Sequence, residues 1–155
     1  MGQTNVLSRY PVHFHLLGEC PKCYLKHSSI HHSFYRCAVV QGTNSTLITE
    51  NVAYDVIGYC FMYHDGVEEG NTLSHNLAAH IHWLGPEAAH NEGRGENTYY
   101  ESKTLAFPAD VSASGFFIPN LNNNIVGNAA SGVSLAGQGC FMIDNHRFCF
   151  GAHQC

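Results

Sequence analysis

Charge is what this chain has least of. Asp, Glu, Lys and Arg together supply 12% of its 155 residues, about half the share found in an ordinary globular protein. That scarcity argues against long amphipathic surface helices, which lean on Glu, Lys and Arg. No basic run or stripe is present, and the formal net charge is −5 with the 12 histidines neutral. A nucleic-acid partner is therefore excluded. No apolar run is long enough to span a bilayer, so no membrane insertion by this segment is expected. The opening MGQTNVLSRY lacks the apolar core of a signal peptide. Val6 stands where a myristoylation motif requires Ser or Thr. The chain starts directly in structured-looking sequence, as an internal piece of a larger protein would, with flanking domains as its covalent partners. A complete zinc set is also missing. Cys20-Pro21-Lys22-Cys23 with His27 has zinc-like spacing, but no second CxxC or HxxxH supplies the remaining ligands. A disulfide is the expected state of that pair in an oxidising compartment.

What the chain does have is histidine, asparagine, glycine and serine. Arg9 to Leu17, RYPVHFHLL, holds His13 and His15 two residues apart in an apolar run. On a strand the side-chain period is 2, so both imidazoles share one face, while Val12 and Phe14 take the other. Full protonation of all 12 histidines would carry the formal charge from −5 to +7, mostly below an imidazole pKa of about 6.5. Affinity for a polyanion should therefore rise on acidification.

Similar units recur. CYLKHSSIHHSFYRCAVVQG (23 to 42) resembles STLITENVAYDVIGYCFMYHDG (45 to 66), and further units begin at NTLSHNLAAHI (71 to 81) and NNIVGNAASGV (123 to 133). The expected pairings are Leu25 with Leu47, Ile30 with Val52 and Cys37 with Cys60. Asn51, Asn76 and Asn128 hold one place in the pattern, and CFMYHD (60 to 65) returns as CFMIDN (140 to 145). A period of about 22 residues of short β-rich runs, without a leucine ladder, predicts an all-β, right-handed parallel β-helix. Asparagines at its turns would form hydrogen-bonded ladders between coils. Coils are expected over 1–82 and 114–145, a long loop excursion over 83–113, and an irregular tail or cap over 146–155.

RYPVHFHLLG, SIHHSFYRC, NVAYDVIGYCFMYHDG and NTLSHNLA resemble the β-helix region of the cell-migration-inducing and hyaluronan-binding protein family. That group includes a transmembrane cell-surface hyaluronidase and fibrocystin-like receptors. SGFFIPNLNNNIVGNAASG is similar to a later coil. The resemblance covers residues 2 to 82 strongly and 114 to 133 more weakly. It implies an extracellular or cell-surface setting and contact with glycosaminoglycan, some members being depolymerases and others receptors. The upstream G8 domain of the family is not in this sequence. His64 stands where the family tends to have glutamate, and Gln41 where it tends to have histidine; both departures favour binding over cleavage.

Aligning the strands by their turns puts His15, Gln41, His64 and Asp144 in one outward column. His13, Val39, Met62 and Met142 form the column beside it. Val12, Phe14, Ala38, Val40, Phe61, Tyr63, Phe141 and Ile143 then face inward. A one-residue slip would invert the assignment. Three chemistries are open. His13 and His15 with His64 or Asp65 could hold a divalent metal, His13, His15 and Asp65 being the ligand set preferred, with no other cofactor expected. Asp65 with Glu68 or Glu69 could act as a glycosidase carboxylate pair, the catalytic group being His13, His15, His64 and Asp65. Or the ladder could simply hydrogen-bond an acidic polysaccharide, with Arg9, Gln41, Arg36 and Asp144 as contacts; a guanidinium can grip a uronate at two points. Cys37 and Cys60 could be bridged or remain packed thiols. His80, His82 and Trp83 border the excursion. His31 and His32 point to opposite faces, one of them able to stack near His13 or His15. Glycosaminoglycan binding, with depolymerisation as the finer expectation, is the leading reading. A non-catalytic structural or adhesive receptor segment is the alternative.

Overall fold

A computed structural model describes residue 2 and residues 8–82, 113–133, 141–143 and 146–148. Every regular element among them is a strand. The first coil carries β1 (Val12–Glu19), β2 (Tyr24–Lys26) and β3 (Ser29–Ser33). The second carries β4 (Ala38–Asn44), β5 (Leu47–Thr49) and β6 (Val52–Ile57). The third carries β7 (Tyr59–Tyr63), β8 (Thr72–Ser74) and β9 (Leu77–His82), and the fourth β10 (Ser114–Ile118), β11 (Asn124–Val126) and β12 (Ala129–Val133). β13 (Phe141–Ile143) opens a fifth, and β14 (His146–Phe148) turns back against it, antiparallel. Like strands stack in parallel into three walls, β1-β4-β7-β10-β13, β2-β5-β8-β11 and β3-β6-β9-β12, with the antiparallel β14 at the end of the first. This is a parallel β-helix. The excursion expected over 83–113 and the tail beyond 148 lie largely outside the described residues.

The core fills the space between the walls. In the first wall Ala38, Val40, Phe61, Tyr63, Phe116 and Ile118 face in and are buried, with Val12 and Phe14 packed beside them. Phe61 and Phe116 stack at 5.2 Å between ring centroids. The expected inward set for this wall is the one observed wherever side chains are described. The other two walls correct the expected register by one residue. Leu25 lies beside Ile48, not Leu47, and Ile30 beside Ala53, not Val52. The strands of the second wall are three residues long, so only the middle residue can face in. Pairing Leu25 with Leu47 would turn Ile48 out to solvent.

Two ladders hold the coils in register at the corners. At the second corner Ser28 N donates to Asn51 Oδ1, Asn51 N and Nδ2 donate to Asn76 Oδ1, and Asn76 N and Nδ2 donate to Asn128 Oδ1. Each amide group also caps a backbone carbonyl of the preceding coil, Asn76 Nδ2 reaching Ile48 O at 3.0 Å. At the first corner Thr46 N and Oγ1 donate to Asn71 Oδ1, and Asn71 N and Nδ2 donate to Asn123 Oδ1. Corner backbone turns away from its own wall and loses ladder partners there; the asparagines replace them. Cys37 and Cys60 form a disulfide between adjacent coils, and Cys20 and Cys23 form a second within a turn. Asn44, the acceptor of the Asn44-Ser45-Thr46 sequon, is also used by the fold: its Nδ2 donates to Glu19 and its Oδ1 accepts from Glu69 N.

Candidate functional site

The register of the first wall sets the site. His13 lies beside Val39 and His15 beside Gln41. Val40 lies beside Tyr63, and His64 N donates to Val40 O, which carries the column from Gln41 to His64. Three coils therefore present His15, Gln41 and His64 in sequence along one ridge. Side chains tie the ridge together. His13 Nε2 is 3.2 Å from Gln41 Oε1, Gln41 Nε2 donates to Asp65 Oδ1 at 3.3 Å, and Asp65 Oδ1 is 2.7 Å from His64 Nδ1. The His13 and His15 rings are 4.8 Å apart. The four residues expected to do chemistry are thus on one surface, with Gln41 as the link between coils.

Two backbone devices shape this ridge. β1 departs from regular pairing after His15, between His15 and Gly18, which leaves Leu16 and Leu17 exposed beside it. Gly42 has φ +53, and a Cβ there would meet Leu16 Cδ2 at 2.6 Å; glycine is the residue that fits. The turn after His64 is held from below by Glu68, which is 0% exposed. Glu68 Oε1 accepts from Gly42 N and Asp65 N, and Oε2 from Gly66 N. This carboxylate supports the turn from within the fold. It also lies near the buried Tyr63 hydroxyl, whose pKa is pushed up by burial first and by the Glu68 charge second.

Burial lowers the His13 imidazole pKa below its ordinary value. The Ser8 carbonyl pulls the other way, His15 lowers it further, Gln41 opposes and His64 adds a last lowering contribution. The neutral form is thus favoured in the fold. Above about pH 6.5 this group imposes no penalty on folding; the penalty grows as pH falls below that toward the lowered folded value.

Other expected contacts are placed differently. The outward column next to the ridge is not open: Val39 is 0% and Met62 7% exposed, under Tyr10, Tyr35, Ile57, Tyr59 and Phe117. Arg36, expected to grip a uronate, is 2% exposed, with its guanidinium over the rings of Tyr35 and Tyr59 at 4.6 Å from each. It is a packing element of that aromatic cover, because Tyr59 from the next coil closes over it. Arg9 is exposed, three residues before β1 begins. Asp144 lies outside the described residues. His31 and His32 sit on the third wall, away from the His13–His15 strand.

The donors that converge as a metal-ligating group among the described residues are Asp55, His80 and His82, not His13, His15 and Asp65. Asp55 Oδ1 is 2.9 Å from His82 Nε2, and Asp55 Oδ2 is 3.6 Å from His32 Nε2. Correct alignment of SIHHS, NVAYDV and NLAAHIH is the signal that would have found them, since it sets His32, Asp55 and His80 in one column. No helix among the described residues is long and apolar enough to cross a membrane.

Comparison with known proteins places this geometry. Protein rliB of Dictyostelium discoideum is 51% identical over 132 residues, which are 85% of this chain and 12% of the relative. Communication mutant protein F of the same organism is 47% identical over 132 residues, 85% of this chain and 12% of its own length. Human cell surface hyaluronidase CEMIP2 is 39% identical over 150 residues, 88% of this chain and 11% of its own length. The chain thus spans 12% or less of the length of these relatives. The model of the CEMIP beta-helix matches residues 1–153, and the chain belongs to the CEMIP beta-helix family.

Proposed function

We propose that the chain is a glycosaminoglycan-binding segment of an extracellular or cell-surface protein, its ligand a hyaluronan-like acidic polysaccharide. The observation that carries this reading is the hydrogen-bonded network of His13, Gln41, Asp65 and His64 across three coils. An extended sugar chain lying along stacked strands meets repeated polar groups at the strand spacing of about 4.8 Å. Protonated imidazoles on the ridge answer uronate carboxylates, and Gln41 and the Asp65 carboxylate answer hydroxyls. The name of the human relative, a cell surface hyaluronidase, points to the same ligand class. The two disulfides suit an oxidising compartment.

Depolymerisation is the finer part of the proposal. His64 and Asp65, with His13 and His15 alongside, are the groups able to move protons at a glycosidic oxygen. With Glu68 committed to three backbone amides, the exposed Glu69 is the remaining candidate of the two expected partners for Asp65. A structural or adhesive segment is the second reading, favoured by the aromatic cover over Val39, Met62 and Arg36.

Size-defined hyaluronan incubated with the purified chain separates these readings. The expected result is retention without shortening, with His13→Ala and His64→Ala each weakening affinity by about 10-fold, the worth of one charge-assisted hydrogen bond. Shorter products would make the ridge catalytic. No retention at all would leave the structural reading.

A further inference from the structure

We infer that the third wall carries a site for a divalent transition metal of the zinc class, held by Asp55, His80 and His82 with His32 as fourth ligand. It is separate from the polysaccharide ridge, which lies on the first wall. The donor atoms of Asp55, His80 and His82 all lie within 4.8 Å of one another. Tetrahedral zinc with imidazole and carboxylate ligands needs donors about 3.4 Å apart, which follows from metal–ligand distances of about 2.1 Å.

Register explains why these donors meet. His31 lies beside Tyr54 and Ser33 beside Val56, which leaves His32 and Asp55 facing each other between them. Tyr54 lies beside Ala79 and Val56 beside Ile81, which brings His80 to Asp55. His32, Asp55 and His80 have φ of 49, 58 and 56 degrees. Each breaks the strand alternation, so the column projects where an ordinary strand residue would not. His82, beside Ile57, closes the group.

The rings are also oriented for ligation. His80 stacks on Tyr54 at 5.5 Å and meets the His82 ring edge-on at 4.2 Å. His32 Nδ1 is 2.7 Å from His31 Nδ1, which fixes the ring and directs Nε2 toward Asp55. A nitrogen held at its far side by a hydrogen bond is the usual state of a ligating histidine. Asp55 is 5% and His82 9% exposed, so a carboxylate and an imidazole are withdrawn from water together. A cation between them would supply positive charge beside this buried carboxylate. Imidazole and carboxylate in this mixture select zinc or cobalt over calcium or magnesium, which prefer oxygen ligands. A four-ligand shell leaves no open position, which is the pattern of a structural metal. Bound there, the ion would clamp three successive coils where β9 ends.

Cobalt(II) is the probe, because tetrahedral coordination gives it visible absorption and zinc can then displace it. The purified full chain should develop tetrahedral cobalt bands at one equivalent, lose them on adding zinc, and melt at higher temperature with zinc than with EDTA. His80→Ala changes an exposed side chain and should leave the fold intact while weakening metal affinity at least about 100-fold, the upper range for changes around a metal site. His82→Ala and Asp55→Asn should do the same. His13→Ala should leave metal binding unchanged. Absence of tetrahedral bands in the folded chain would overturn the proposal. So would equal affinity in His80→Ala, which would assign the metal to other surface histidines.

Discussion

Asn76→Ala is expected to cost about 4 kcal/mol of folding stability, a large part of the 5–15 kcal/mol typical of a domain. The side chain is buried and takes part in four hydrogen bonds. It donates to Ile48 O and Asn128 Oδ1 and accepts from Asn51 N and Asn51 Nδ2. Alanine removes all four and strands the Asn51 amide and the Ile48 carbonyl inside the corner. Each buried orphan costs about 1–3 kcal/mol, and no water reaches them without opening the coil. Asn128 is less enclosed, and its replacement should cost less than half as much. Urea unfolding monitored by circular dichroism reads both. A loss below about 1.5 kcal/mol for Asn76→Ala would mean that apolar stacking, not the ladder, fixes coil register.

Glu68→Gln should have the second large effect, and on two properties at once. The carboxylate takes three backbone amides, those of Gly42, Asp65 and Gly66. Glutamine keeps one acceptor oxygen and turns its NH2 toward a backbone donor, so at least one amide is orphaned and the other bonds lose their charge assistance. About 3 kcal/mol of stability should go. The turn carrying His64 and Asp65 should loosen with it. Hyaluronan affinity should therefore fall by 10-fold or more at a temperature where the variant remains folded, although Glu68 itself has no exposed surface. Retained affinity with lost stability would separate the turn from the ridge and confine the Glu68 role to folding.

How much of this was legible in the sequence differs from wall to wall, and the reason is physical. The first four strands of the first wall are five to eight residues long and alternate in and out, so the phase of Phe14, Val40 and Tyr63 could be read directly. The column His15–Gln41–His64 followed, as did the juxtaposition of Cys37 and Cys60. The second wall offers three-residue strands with one inward side chain each. In the third wall the alternation breaks at His32, Asp55 and His80. Neither pattern fixes a phase from sequence, and the alignment slipped by one residue. That slip, between the first and second coils, set His32 against Tyr54 rather than Asp55; the matched Asn51 and Asn76 do set Asp55 beside His80, but the metal expectation stayed with the first wall. Arg36 misled for a different reason. Its cover comes from Tyr35 beside it and from Tyr59, 23 residues on, and long-range packing of that kind leaves no local signature. Glu68 reads as a turn residue in the sequence, and only the fold turns it inward beneath Asp65.

The account rests on imidazoles of successive coils facing one polyanion. The affinity of the chain for size-defined hyaluronan, measured at pH 7.5 and pH 5.5 at constant ionic strength, tests this most directly. Burial first of all lowers the His13 pKa, with the Ser8 carbonyl and Gln41 opposing, and a docked anionic chain would favour the protonated form. The predicted result is tighter binding at the lower pH, with proton uptake that is reduced in His13→Ala. Equal affinity at the two pH values would contradict it.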